Sequence, residues 1–501
     1  TVRDLLAHSL DARRERLGAA DMISTDDAAR LVDTTRVTIN AWIAKGRAIG
    51  LTQTKRGFRM PRWQFEPAMW AAIPKLSAAL GTARAETLHE RDGTTLSANI
   101  DGMAGAFSTR EDYLGEGGRQ WREGFIHGVL AGTTRAGGGK LAGGLGAIAQ
   151  GTWGDGDAGG YTDGRERDVD LEDAYVGWRS AGGAFDVSFG RQQFVLGDGF
   201  LIASDRINLG KGLDALGVDV DRGGAYYLAA KKSFRNTAIV RIDPEGPWRG
   251  DAFWLQSGNP YQQDTELGGA NLEYVSETHG TLGLSWMKVL DVDQGAGLGI
   301  FDRRDGMRIA SVRGQGSLGV ENLFLAFEYV DQRGGSAAVK NDADAWHVEG
   351  GWTFADLPWR PTLDYRHARF SADKSATARN EAFDPLFFGL SRGLGTWFQG
   401  EVASNYAGPA NSGNRVDRVE LSLAPREDLS IGVQYWKFAP EGEAADLAGR
   451  EFDLFAFWQI DKHFTFVPLI GLYEPRGADV KALQGNDRRN VYLQAVLIFN
   501  Y

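Results

Sequence analysis

Residues 322–329 set Leu323, Leu325, Phe327 and Tyr329 against Asn322, Phe324, Ala326 and Glu328. A period of two is the mark of a β-strand, because successive side chains point to opposite faces. The same alternation returns in 345–354 (Trp346, Val348, Trp352, Phe354), in 359–370 (Trp359, Leu363, Tyr365), in 428–437 (Leu429, Ile431, Val433, Tyr435) and in 490–501 (Val491 through Tyr501). One face of each segment is apolar and ends in aromatic rings; the other is polar, charged or glycine. A soluble sandwich also alternates, but only a lipid-facing strand needs amphipathic rings at its ends, where they sit at the membrane interface. No stretch reaches the roughly 18 apolar residues of a membrane helix. A crossing of the membrane must therefore be made by strands closed into a barrel, since lipid satisfies no backbone hydrogen bond.

Composition agrees: 67 glycines and 14 prolines in 501 residues suit long antiparallel strands with many turns. There is no cysteine, which excludes disulfides, thiol catalysis and thiolate metal sites. About ten residues per segment give 16 to 20 strands, with 18 the even number adopted here. Short turns at 276–280, 424–428 and 460–462 alternate with long loops at 154–168, 196–222, 291–305, 372–395, 439–450 and 474–489. Short turns on one rim and long loops on the other are the outer-membrane arrangement. The last strand, ending at Tyr501, resembles the signal read by the outer-membrane assembly machinery.

The first 90 residues differ. They hold 14 Lys+Arg against 10 Asp+Glu, whereas the remainder holds 41 against 56. Apolar residues there recur at helical spacing: Leu5, Leu6, Leu10 and Leu17; then Ala28, Ala29, Leu31 and Val32; then, after the turn Asp33-Thr34-Thr35, Val37, Ile39, Trp42 and Ile43. Residues 56–61 read as a hairpin strand. This text resembles the winged helix-turn-helix of excisionase and antitoxin-type DNA binders. The resemblance implies that Arg36, Thr38, Asn40 and Lys45 face a major groove, with Arg56 and Arg59 on phosphate or in the minor groove. The expected organisation is a helical, helix-turn-helix-like segment over 1–70, a connector over 71–93, and an all-β, closed antiparallel transmembrane barrel over 94–501. A DNA-binding regulator or antitoxin is the alternative function, and nucleic acid does not fit the barrel's compartment.

"DVDLEDAYVGWR" (Asp168 to Arg179), "SFGRQQFVLGDGFLI" (Ser188 to Ile202) and "FDPLFFGLSRGLGTWFQGE" (Phe383 to Glu401) resemble the alginate export family of outer-membrane porins. The resemblance implies an 18-stranded barrel whose Arg-lined constriction passes a polyanionic sugar polymer. The expected setting is the outer membrane, with its lipid and an anionic polysaccharide or small polar solutes as partners. Guanidinium groups suit uronates, because Arg pairs a carboxylate through two parallel bonds. The candidates on or near polar strand faces are Arg179, Arg191, Arg241, Arg360, Arg366 and Arg418. Arg191 needs a bulge at Gly190 to point inward. The acidic residues Asp173, Glu328, Glu349, Asp364, Glu401 and Glu420 lie near them, so neutralising ion pairs across the wall are the alternative role. Gly154-Asp155-Gly156-Asp157-Ala158-Gly159 matches a nucleotide loop in spacing only, since its two Asp repel phosphate and no helix follows. With Asp163 it could hold calcium, but it lacks the EF-hand order. There is no H-E-x-x-H and no G-x-S-x-G. No enzyme activity, cofactor or metal is expected.

Overall fold

A computed structural model describes residues 22–24, 52–54, 57–61 and 86–501, the last range without 113–116, 218, 245, 296–298, 337–338, 375, 390–399, 405–410, 443–447 and 478–486. The chain divides into two units, Thr1–Thr82 and Ala83–Tyr501. In the first, β1 (Met22–Ser24), β2 (Thr52–Thr54) and β3 (Gly57–Pro61) form an antiparallel sheet in the order β1-β3-β2. Arg59 stands on β3 opposite Ser24 and Thr52, in the hairpin expected there. Apart from Met22–Ser24, which is strand, the three helices expected over 2–45, with Arg36, Thr38, Asn40 and Lys45, lie outside the described residues, as does Arg56. The described part of this unit is strand alone, built on β-formers such as Ile23, Thr52, Thr54 and Phe58. It gives the helix-turn-helix reading no support.

In the second unit eighteen strands close into an antiparallel barrel. They are β5 (Thr94–Thr109), β6 (Arg119–Ala136), β7 (Gly139–Gly154), β8 (Arg167–Ser180) and β9 (Phe185–Gln192), then β12 (Phe234–Ile242), β13 (Trp248–Gln256), β14 (Glu266–Ser276), β15 (Gly280–Asp291), β16 (Met307–Gly316), β17 (Leu323–Gly334), β18 (Asn341–Thr353), β19 (Thr362–Phe370), β20 (Asn414–Arg426), β21 (Leu429–Pro440), β22 (Gly449–Gln459), β23 (Phe464–Pro475) and β24 (Asn490–Asn500). The last strand pairs with the first, Tyr492 opposite Thr109 through Asn500 opposite Asp101. A short β4 (Glu86–Arg91) hairpins onto the same edge of β5 below that seam. Closure leaves no long edge for lipid to meet.

The outward face is the expected one. Phe327, Tyr329, Val348, Trp352, Leu363, Tyr365 and Leu493 are exposed there. Trp248, Tyr274, Trp352 and Trp458 cluster near the short-turn rim; on β15, Leu282 and Leu284 lead up to Trp286. Connections on that rim span two to eight residues; on the other they span six to 43.

Two of the long connections are longer than the sequence reading had them. Residues 193–233, holding the short strands β10 (Val195–Leu196) and β11 (Ile202–Ala203), and residues 371–413 run far beyond the loops expected at 196–222 and 372–395. Both contribute fully buried apolar side chains, among them Leu201, Ile202, Leu209, Phe383, Leu386 and Phe387. They turn inward and pack on the wall. The inner face is correspondingly not polar throughout: Phe107, Trp121, Leu255, Met287, Phe370, Trp436, Tyr473 and Tyr492 are buried on it. The barrel thus has a hydrophobic core inside its upper half, where the sequence reading expected a polar lumen. Apolar loop residues entering a barrel must bury against apolar wall residues, or water would solvate both.

Candidate functional site: the constriction inside the barrel

The two inward loops are joined by backbone. Ala203 N–H donates to the Phe387 carbonyl at 2.7 Å, Phe387 N–H to Leu201 at 3.1 Å and Gly389 N–H to Gly199 at 2.9 Å. Gly199 has φ +93°, and a Cβ there would run into the Gly389 carbonyl, so only glycine permits the approach. Phe200, next in sequence, stacks on Phe370 and Phe383 with centroids 5.8 and 6.3 Å apart.

Each loop is held by buried polar bonds to the wall or to a neighbouring connection. In the first, Glu172 on β8 accepts from the backbone of Lys232 and Ser233 at 2.6 and 2.8 Å. Lys231 Nζ reaches Asp168 and Asp170 at 2.6 and 3.0 Å. Ala225 N–H donates to Thr152 Oγ1 at 2.8 Å. In the second, Arg304 grips Asp384 with Nε at 2.9 Å and a terminal nitrogen at 2.8 Å, both residues buried. Gln332 of β17 donates to the Asp384 carbonyl at 2.7 Å and accepts its N–H at 2.9 Å. Burial alone would raise the Asp384 carboxyl, but Arg304 and Arg303 outweigh it and hold it below the usual carboxylate range. Further along, Glu451 accepts the backbone N–H groups of Glu401, Val402 and Ala403 at 2.6 to 2.9 Å.

The sequence-predicted arginines separate in place. Arg179 faces inward near the short-turn rim, 2.8 Å from Asp186. Arg241 lies 4.0 Å from Asp186 and 3.8 Å from Asp251. Arg418 is buried among Glu349 (3.3 Å), Glu420 (3.2 Å) and Asp364. Arg366 is buried beside it, its guanidinium 5.5 Å from the Trp436 ring centroid. Arg191 sits at the expected irregularity: Gly190 has φ +121° and the β9–β12 register shifts there. Arg360 is the exception. It stands in the turn 354–361 with φ +45°, exposed, because β19 begins only at Thr362. It does not share the inner face of Thr362 and Asp364.

Sequence reasoning missed a second charge cluster. Arg313 of β16 bonds Glu273 and Asn271 of β14 at 2.6 Å each and Ser285 of β15 at 2.6 Å. Arg249 reaches the same Glu273 at 2.5 Å. With Arg241, Asp251 and Asp198 they line a cavity of about 310 Å³ between residues 195–198 and the wall. Gly197 (φ +59°) lies against Arg313, where a Cβ would come within 2.6 Å of its Nε. These residues are four strands apart in places, and no local motif links them.

Two further cations were also missed. Arg206 lies at the seam of the loops, its Cδ 3.7 Å from the point where a Gly389 Cβ would be. Its Nε has no hydrogen-bond partner among the described residues, and burial alone pulls the guanidinium down to about 10, so it stays charged at neutral pH. Lys232 is buried with Nζ 5.5 Å from the Phe125 centroid. Burial and the adjacent Arg206 push its ammonium down to about 8. Neither cation makes an ion pair among the described residues, unlike Arg179, Arg241, Arg313 and Arg418.

Fold and site together define an outer-membrane barrel of porin type, its interior narrowed by two inward loops. The sequence matches the alginate export family over residues 154–475, and the chain belongs to that family. Of the three sequence blocks that resemble it, Asp168–Arg179 lies on β8, Ser188–Ile202 runs from the end of β9 into the first inward loop, and the described residues of Phe383–Glu401 belong to the second. Among solved structures, a BenF-like porin from Pseudomonas fluorescens Pf-5 is similar at 10% identity and TM-score 0.54, covering 81% of this chain and 98% of that one. Pseudomonas aeruginosa OccK9 (OpdG) follows at 11% and 0.53, and P. aeruginosa OpdK with vanillate at 13% and 0.51, each with the same coverage. No curated protein matched.

Proposed function

We propose that this barrel is a channel for acidic carbohydrate, with Arg206 and Lys232 as the point of the constriction that reads the carboxylate. The observation that supports the reading is the contrast in pairing. The wall arginines are largely neutralised by neighbouring carboxylates, whereas Arg206 at the loop seam and Lys232, close enough to feel its charge, make no ion pair among the described residues. A desolvated guanidinium beside an ammonium attracts an anion far more strongly than the same charges in water. The acidic total of −11 does not oppose this, since exposed loop charges are screened within about 8 Å at physiological salt. Alginate-like polymer fits the same chemistry as a repeated uronate, and its passage as a chain requires the joined loops to part. Arg191 and Arg366 belong to the same reading as wall positions along the path.

The test is block of single-channel current in planar bilayers by uronic-acid oligomers and by neutral oligosaccharides of equal length. The uronates should block at lower concentration, and Arg206→Ala should remove the difference. Equal block by both series in the wild type would refute the reading.

A further inference from the structure

Asp198, Glu328 and His347 come from three elements and meet inside the barrel. The β17–β18 register sets Glu328 directly opposite His347 on the inner face, where opposed side chains start about 4.5–5.5 Å apart at Cβ. Asp198 arrives from the first inward loop, one residue before Gly199. One possible ligand atom from each lies within 4.8 Å of the other two, and all three residues are buried. Glu328 is nine-tenths buried or more; one of its oxygens accepts from Ser311 Oγ at 2.5 Å, and the carboxylate makes no ion pair among the described residues. The guanidinium best placed to neutralise it belongs to Arg313, its register partner on the other side. That group is turned away, onto Glu273, Asn271 and Ser285. Two carboxylates buried this close to an imidazole offer their charge to a proton or to a cation placed between them.

We propose that these three side chains bind a divalent transition-metal ion, with Zn²⁺ as the representative. One imidazole and two carboxylates form a nitrogen–oxygen donor set that suits zinc-class ions. Calcium and magnesium take oxygen donors alone. Zinc bonds of about 2.0–2.2 Å put ligand atoms roughly 3.4 Å apart in a tetrahedron, so side-chain rotations closing up to about 1.4 Å complete the site, with water in the fourth position. The ion ties loop to wall. Phe200, two residues beyond Asp198, already lies on the His347 ring at 4.9 Å, and Gly199 between them makes the loop-to-loop bond. Metal binding therefore holds the constriction closed, and metal removal loosens it. This inference does not depend on which solute passes.

The experiment uses the full chain in detergent, stripped by a chelator and then titrated with Zn²⁺ by calorimetry. Single-channel conductance is recorded with and without the ion. The wild type should take up one equivalent, and its mean open conductance should fall when Zn²⁺ is added. His347→Gln and Glu328→Gln should each weaken binding at least tenfold and abolish the conductance response. Asp198→Asn, on the loop and outside the wall, serves as the third variant. Heat-modifiable gel mobility certifies that each variant is folded. Absence of saturable binding in the wild type overturns the proposal, as does binding that persists unchanged in the three variants. Because calorimetry reads no transport, failure here leaves the carbohydrate reading standing, and the reverse holds equally.

Discussion

Asp384→Ala should free the second inward loop while leaving the barrel intact. The carboxylate accepts two close bonds from Arg304 and one from the Leu386 N–H at 2.9 Å. Removing one partner of a buried pair leaves an uncompensated charge and costs about 3–5 kcal/mol. At 1.4 kcal/mol per tenfold, that shifts the balance between docked and released loop by roughly 150- to 4,000-fold. The backbone of residue 384 keeps its two bonds to Gln332, so the loss belongs near the lower end, and Asp384→Ala with Gln332→Ala should exceed either alone. The assay is single-channel recording together with limited proteolysis of the loop. The variant should show larger, noisier currents and faster cleavage within residues 371–413, at unchanged heat-modifiable mobility. Wild-type conductance, noise and cleavage rate in the double variant would refute the reasoning.

Acidity provides a second handle on the same clamp. Because the Asp384 pKa is held below its unfolded value, its contribution is complete above about pH 4 and is lost as pH falls through the lower folded value. Conductance should therefore stay constant from pH 7 to about 4 and rise only below. Lys232 behaves in the opposite range: its ammonium is charged below about 8, so anion preference should weaken between pH 7 and 9 while Arg206 remains charged. A preference flat across that interval would remove Lys232 from the site. Gly199→Val forces a side chain into the Gly389 carbonyl and should separate the loops, raising conductance without unfolding the barrel, as circular dichroism would check. Arg418→Leu leaves Glu349, Asp364 and Glu420 buried without their cation and should cost about 3–5 kcal/mol, read as a lower unfolding temperature of the heat-modifiable band.

The wall was legible because a lipid-facing strand has only one way to be written: Leu323-x-Leu325-x-Phe327-x-Tyr329 declares its face, its period and its interface ring. The three family-like blocks were legible as text, though nothing in them states that they meet. The interior was not legible, for a physical reason. Inward loops have no period, and a wall residue such as Trp436 or Tyr492 that packs on them breaks the polar half of the alternation without disturbing the outer half. The paired partners Arg313 and Glu273 are 40 residues apart and two strands apart, joined only by register. Arg206 and Lys232 carry no motif either; their significance lies in burial and in making no ion pair among the described residues, both properties of the folded chain. Arg360 misled because Trp359 extends the alternation by one step into a turn.

Selectivity tests the central claim most directly. In planar bilayers under a potassium chloride gradient, the sign of the reversal potential states whether anions or cations pass preferentially. Arg206 and Lys232 at the constriction predict a chloride preference for the wild type at pH 7, reduced by Arg206→Ala and reversed by Arg206→Glu. A cation-selective wild type, or an anion preference that survives Arg206→Glu unchanged, would contradict it.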